Sequence, residues 1–186
     1  MIRGNYTESI ESDDASKNHT KMKSMTFDEV AAIIQSGDSD MLREIIQGIP
    51  AERRWRNINT VKNESSQTLL MVACESGFIE CARVLLDHHA DVNAVSGMEY
   101  HVLGNFWQSV LTSACLSGNA DMLRFIVDRG VTIDDQYLLK IFKISRIVAN
   151  TEIAVILVEN TKFPFQFVSP KIRPVFRSRF WRSKMK

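Results

Sequence analysis

Residues able to act as nucleophiles or metal ligands are few in this chain of 186 residues. The three cysteines are Cys74, Cys81 and Cys115, and three of the four histidines are His88, His89 and His101. A zinc shell needs several such groups around one ion. Cys81 and His88 are separated by two helical turns, a rise of about 10 Å. There is no Cys-x-x-Cys and no His-x-x-x-His pair to seed a site. A reactive cysteine would need a nearby base and an electropositive setting. The acidic pairs Asp13-Asp14 and Asp134-Asp135 are poor acid/base dyads. The first lies in a polar terminal segment, and the second lies where a helix start favours acids. No Gly-x-Gly-x-x-Gly, Gly-Lys-Ser/Thr, Gly-x-Ser-x-Gly or His-Glu-x-x-His occurs. No set of residues converges on a reaction. The expectation is a non-catalytic protein without metal, cofactor or small-molecule substrate.

A different chemistry is written at the C-terminus. In residues 162–186, Phe163, Phe165, Phe167, Phe176, Phe180 and Trp181 interleave with Arg173, Arg177, Arg179 and Arg182. Eight of the 23 basic residues and none of the 22 acidic ones lie there, so residues 1–161 carry a net −7 under an overall +1. Such a segment suits an anionic membrane surface, nucleic acid, or docking onto the acidic body. It could equally be the end of a shortened or alternatively spliced product with no role of its own. The smaller cluster Arg53-Arg54-Trp55-Arg56 reads as a solvated finger.

The body that must carry these groups repeats itself. Residues 36–46 read Ser-Gly-Asp-Ser-Asp-Met-Leu-Arg-Glu-Ile-Ile, and residues 117–127 read Ser-Gly-Asn-Ala-Asp-Met-Leu-Arg-Phe-Ile-Val. A looser copy at 76–86 reads Ser-Gly-Phe-Ile-Glu-Cys-Ala-Arg-Val-Leu-Leu. Gly37, Gly77 and Gly118 are 40 and 41 residues apart. A fixed period implies stacked units, none of which can bury its apolar face alone. In 26–49, Thr26 and Glu29 form a capping box. The first helix should bury Phe27, Val30, Ala31 and Ile34, and Gly37 ends it in the left-handed conformation. Asp38 or Ser39 caps a second helix, which should bury Met41, Leu42, Ile45 and Ile46. Residues 50–66 have no sustained period and read as a long connection.

Residues 67–94 resemble the ankyrin repeat. Thr68-Leu69-Leu70-Met71-Val72-Ala73-Cys74-Glu75-Ser76-Gly77 matches the family's Thr-Pro-Leu-His-x-Ala-Ala-x-x-Gly. Ala82-Arg83-Val84-Leu85-Leu86 and Ala90-Asp91-Val92-Asn93-Ala94 match its second helix and its Gly-Ala-Asp-x-Asn-Ala. Three residues depart: Leu69 stands for Pro, Met71 for His and His89 for Gly. The family's Thr–His hydrogen bond is lost, and His89 takes a position that usually needs positive φ. Cys74 and Cys115 share the second small position of the Ala-Ala pair, where a free cysteine is a buried small hydrophobe. Residues 108–134 repeat the pattern from Ser109 through Gly118 to Gly130. The preceding finger, 95–107, is longer than the family's period allows. Residues 135–160 fit a fourth unit at an offset of 31, with Arg146 where Cys115 stood, as suits a terminal repeat.

The fold expected is therefore an all-α solenoid of about four stacked helix-turn-helix (ankyrin-like) repeats with flexible tails. Its divisions are a disordered tail at 1–25, a repeat domain at 26–161 with units at 26–49, 67–94, 108–134 and 135–160, and a basic-aromatic tail at 162–186. The resemblance implies a protein–protein interaction module that binds on its concave side. The family's variable surface positions fall on Glu75, Ser76, Leu116 and Ser117, and the long finger adds Met98, Tyr100, His101 and Trp107. The tail offers Arg173, Arg177, Arg179, Trp181 and Arg182 to anionic membrane or nucleic acid, a second reading of the chain. A third reading is an N-terminal fragment or isoform of a larger ankyrin-repeat protein. An odd cysteine count without a signal-peptide core points to an intracellular, cytoplasmic or nuclear, setting. No apolar run is long enough to span a membrane.

Overall fold

A computed structural model describes residues 26–50, 58–60, 62–64, 66–96, 108–132 and 151–160. Seven helices run through them: α1 Phe27–Ser36, α2 Ser39–Gly48, α3 Leu69–Ser76, α4 Ile79–Asp87, α5 Val110–Leu116, α6 Ala120–Asp128 and α7 Thr151–Glu159. Helices α1/α2, α3/α4 and α5/α6 pack as three helix-turn-helix pairs. Across pairs, α1, α3 and α5 pack in one row, the inner row, while α2, α4, α6 and α7 pack in a second, outer row. Among the described residues there is no strand, only single antiparallel bridges joining Lys62 to Thr68 and Val95 to Ser109. The architecture is the expected all-α solenoid. The first half of the fourth unit, residues 135–150 with Arg146, and both tails lie outside the described residues.

Local sequence explains where each helix begins and ends. The Thr26 hydroxyl accepts from the Glu29 amide at 3.4 Å, and the Glu29 carboxylate accepts from the Thr26 amide at 2.7 Å. These two bonds satisfy donors that a helix start otherwise leaves orphaned. Of the two capping candidates for α2, Asp38 takes the role and accepts from the Met41 amide at 2.9 Å. Thr68 caps α3 and Ser109 caps α5, each through the amide three residues on. Although Met71 replaces the family's His, the Thr68 hydroxyl keeps its capping bond. Gly37 ends α1 at φ 78°, and a Cβ there would sit 2.7 Å from the Phe78 ring of the next pair. The left-handed backbone favours glycine, and a Cβ would also push the partly exposed Phe78 ring aside. One pair later the arrangement recurs with different chemistry: Asn119 donates to the Gly77 carbonyl at 3.4 Å.

The core runs between the two rows as one cluster. Ile34, Leu42, Ile46, Leu70, Met71, Leu85, Met122, Leu123 and Ile126 are fully buried. Each contributes roughly 1.5–3 kcal/mol by leaving water. Two expected core residues of α1, Phe27 and Val30, are only partly buried against this cluster. Met41 is a clear correction, because it is 46% exposed. It occupies the same place in its unit as Cys81 and Met122, both fully buried. Cys81 and Met122 sit on outer helices that pack against the outer helix of the preceding pair, whereas α2 is the first outer helix among the described residues. The connection 50–66 also holds more structure than its lack of period suggested. Residues 58–60 form a helical turn and Ile58 is buried. In α7, Ile153, Ala154, Val155, Ile156 and Leu157 are all buried, so every direction around that turn is covered.

Side chains in the connections tie each pair to the next. Asn59 donates to the His89 carbonyl at 3.0 Å and accepts from the Asp91 amide at 2.7 Å. Asn93 repeats the second contact one pair on, accepting from the Thr132 amide at 2.7 Å. His89 is left-handed at φ 67°, as the resemblance implied, and its counterpart Gly130 sits at φ 81°. A left-handed residue with a Cβ costs about 1–2 kcal/mol, of which glycine's extra unfolded-state entropy returns roughly half. His89→Gly is therefore expected to stabilise the protein by about 0.5–1 kcal/mol, measured as a shift in urea midpoint at unchanged slope.

Candidate partner-binding surface

Counting from Gly37, Gly77 and Gly118, the exposed edge of the inner row is built from equivalent positions. Gln35, Glu75 and Leu116 form one line across α1, α3 and α5, and Ser36, Ser76 and Ser117 form the next. Gln35, Ser36, Glu75 and Ser76 are exposed, while Leu116 and Ser117 are half-buried. The four sequence-predicted residues of the helix ends are thus brought onto one surface. Gln35 and Ser36 complete the two lines and were missed. Their distance from Gly37 was the signal that could have found them. Met98, Tyr100, His101 and Trp107 of the long finger lie outside the described residues. So do Arg173, Arg177, Arg179, Trp181 and Arg182 of the tail.

One polar network underlies this surface, and it has no counterpart in the sequence reading. Gln67 and Gln108 sit 41 residues apart, each just before the hydroxyl that caps an inner helix. The Gln67 Oε1 accepts from Asn63 Nδ2 at 2.8 Å, which turns its amide nitrogen toward α3 and α5. That nitrogen donates to Glu75 Oε2 at 3.2 Å and to Gln108 Oε1 at 3.0 Å. Gln108 is fully buried, and its nitrogen donates to Glu75 Oε2 at 3.1 Å and to Ser113 Oγ at 2.8 Å. All four amide hydrogens are used. Glu75 is exposed yet held in place by two amides, one of them buried. Helical side chains lean toward the N-terminus, which lets Glu75 lie back along α3 toward the connection.

Charge divides cleanly between the rows. Helices α1, α3 and α5 carry Asp28, Glu29 and Glu75 and no Lys or Arg. The outer row holds a ladder at equivalent positions: Arg43–Asp40 at 2.7 Å, Arg83–Glu80 at 3.2 Å and Arg124–Asp121 at 3.3 Å. Arg124 also reaches Glu152 of α7 at 2.6 Å. Arg83 and Arg129 lie over the Phe125 ring at 5.0 and 4.8 Å, and Arg129 pairs with Asp87 at 3.2 Å. Exposed pairs of this kind are worth about 0–1 kcal/mol each, so the ladder adds little within each helix, and Arg124–Glu152 and Arg129–Asp87 are modest glue between outer helices. The described arginines, Arg43, Arg83, Arg124 and Arg129, thus already have anionic partners.

The cysteines are placed against reactivity. Burial pushes the Cys115 thiol up to about 12 and the Cys74 thiol higher still. Cys81 is raised by burial and then by the negative charges of Asp38 and Glu80. A nucleophile needs the opposite shift. Among the described residues no three His, Cys, Asp or Glu side chains cluster as a metal site would require. No described helix is long and apolar enough to cross a membrane.

The family model described as ankyrin repeats (3 copies) matches residues 30–137. The chain belongs to the ankyrin-repeat family. Ankyrin repeats are generally protein–protein interaction modules, and the fold is typically non-catalytic. The crystal structure of the human ASB11 ankyrin repeat domain is similar, with a TM-score of 0.55 and 24% identity. The match covers 71% of this chain and 53% of that one, so the chain spans about half the length of that domain. At this identity the likeness speaks for the fold alone. No curated protein matches the chain.

Proposed function

We propose that this ankyrin-repeat protein is a non-catalytic adaptor that holds a partner protein on the exposed edge of its inner helix row. One observation carries the reading. Gln35, Ser36, Glu75 and Ser76 stand exposed in register, on helices whose other faces are buried in the continuous core. A repeat stack prepays the ordering of such a surface, so a partner meets rigid side chains. Leu116, Ser117 and the finger residues Met98, Tyr100, His101 and Trp107 extend it in this proposal, because exposed Tyr and Trp often carry interface energy. The setting proposed is intracellular, cytoplasmic or nuclear.

The test compares proteins captured by the parent chain with those captured by two variants. Ser36→Arg/Ser76→Arg loads the inner edge, and Glu44→Arg/Asp128→Arg loads the outer row. Loss of a captured protein with the first variant and retention with the second is the expected result. Retention by both overturns the reading. A second reading is favoured by the eight basic and no acidic residues of 162–186. In it the tail binds anionic membrane or nucleic acid. Capture by that route should weaken steeply between about 50 and 200 mM salt, while capture on the inner edge, with its single exposed carboxylate at Glu75, should weaken far less.

A further inference from the structure

We infer that Glu75 is a pre-set socket for a lysine ammonium on the partner, so that the protein bound by the inner row presents a lysine-bearing basic segment. The inference rests on the inner-row reading above and names the chemistry of the partner.

A carboxylate offers about four acceptor positions, two on each oxygen. Gln67 and Gln108 both donate to Oε2 of Glu75, at 3.2 and 3.1 Å. Among the described residues nothing donates to Oε1. A guanidinium docks best as a fork, one N–H to each oxygen. With Oε2 taken twice, that fork has only one tine to place. An ammonium is a point donor with three rotatable hydrogens and needs no second oxygen. The remaining acceptor therefore suits lysine better than arginine.

The surroundings point the same way. No basic residue lies on α1, α3 or α5, so nothing on the inner row competes for the charge. By contrast, Asp40, Glu80, Asp87, Asp121 and Glu152 of the outer row already face arginines. Asp28 and Glu29 on α1 add negative potential along the same row. Glu75 is also the carboxylate whose rotamer is locked by a buried amide. Gln108, fully buried, is itself held by Ser113 and Gln67. A side chain ordered before binding gives up less entropy when the cation arrives.

The experiment measures binding of fluorescent octalysine and octaarginine peptides to the full chain by anisotropy, at about 150 mM salt, where exposed charges are screened beyond about 8 Å. Glu75→Gln keeps an acceptor oxygen for both amides and removes the charge. Glu44→Gln removes one charge from the outer row. Ser76→Trp fills the adjoining inner position, and thermal melts confirm that all three variants fold. The expected result is a loss of about fivefold or more in octalysine affinity with Glu75→Gln, under about twofold with Glu44→Gln, and a smaller loss for octaarginine than for octalysine. Equal losses for Glu75→Gln and Glu44→Gln would mean diffuse attraction to an acidic body and would overturn the inference. A loss with Ser76→Trp but none with Glu75→Gln removes the lysine socket and leaves the inner row as the binding surface. No loss with either removes both. Failure of octalysine to bind the parent also overturns the inference. If binding then appears once the eight basic residues of 162–186 are changed to Gln, the cation belongs to this chain's own tail and not to a partner.

Discussion

Met122→Ala lowers the unfolding free energy by about 2–5 kcal/mol, whereas Met41→Ala lowers it by less than about 1 kcal/mol. The two methionines have the same neighbours in sequence: each is followed by Leu-Arg and preceded by an acid. Each lies four residues after the glycine that ends an inner helix. Met122 is fully buried and packs in the cluster shared by all three pairs. Truncating it removes three heavy atoms from close-packed surroundings and leaves a cavity that a stacked helix pair cannot fully close. Met41 is 46% exposed, so truncation surrenders little burial and opens no cavity. Urea unfolding followed by circular dichroism separates the two cases. Equal losses would show that the first outer helix is covered as the third one is.

Raising the pH from 8 to 10 removes about 3 kcal/mol of stability through Cys74 and Cys115 alone. Burial holds the Cys115 thiol protonated up to about 12 in the folded chain, and Cys74 beyond that, against an ordinary value of 9.0. Unfolding exposes both thiols, which then ionise near 9. Between 9 and 12 the folded state thus holds more protons than the unfolded state, and stability must fall as pH rises. The contribution is intact below 9 and drains at about 1.4 kcal/mol per thiol per pH unit above it. Cys81 is shifted in the same direction and steepens the fall. Chemical denaturation at pH 8 and pH 10 checks this. In the double variant Cys74→Ala/Cys115→Ala the drop between the two pH values should shrink by about 3 kcal/mol. An unchanged drop would place the alkaline sensitivity elsewhere.

Much of the fold was legible because the determinants of helix ends are local. Thr26, Asp38, Thr68 and Ser109 cap through the amide three residues on, and Gly37, Gly77 and Gly118 supply positive φ. Those choices depend on residues a few places apart, so a sequence displays them. Residue 89 could be assigned a left-handed backbone from the repeat pattern despite being His. Met41 departs from its helical spacing for the converse reason. Apolar spacing tells which side of a helix is greasy, and it cannot tell whether another helix arrives to cover that side. The same limit hid the grading of the inner edge, where Glu75 is exposed and its counterpart Leu116 is half-buried.

The proposed binding surface was half legible. Glu75, Ser76, Leu116 and Ser117 are implied by the ankyrin resemblance, and the structure lines them up at the ends of α3 and α5. The network beneath them joins residues 63, 67, 75, 108 and 113, and its longest link spans 41 residues. Glutamine before a capping residue has no special meaning in a sequence; it acquires one when two successive units bring their glutamines within 3.0 Å. By itself the sequence determined the period, the caps and the membership of an all-helical stack, since these arise from backbone geometry and near neighbours. Only the tertiary structure decided which apolar residues are covered and which carboxylate is immobilised. Burial and amide geometry belong to the packing of one unit on the next, and no single unit encodes that alone.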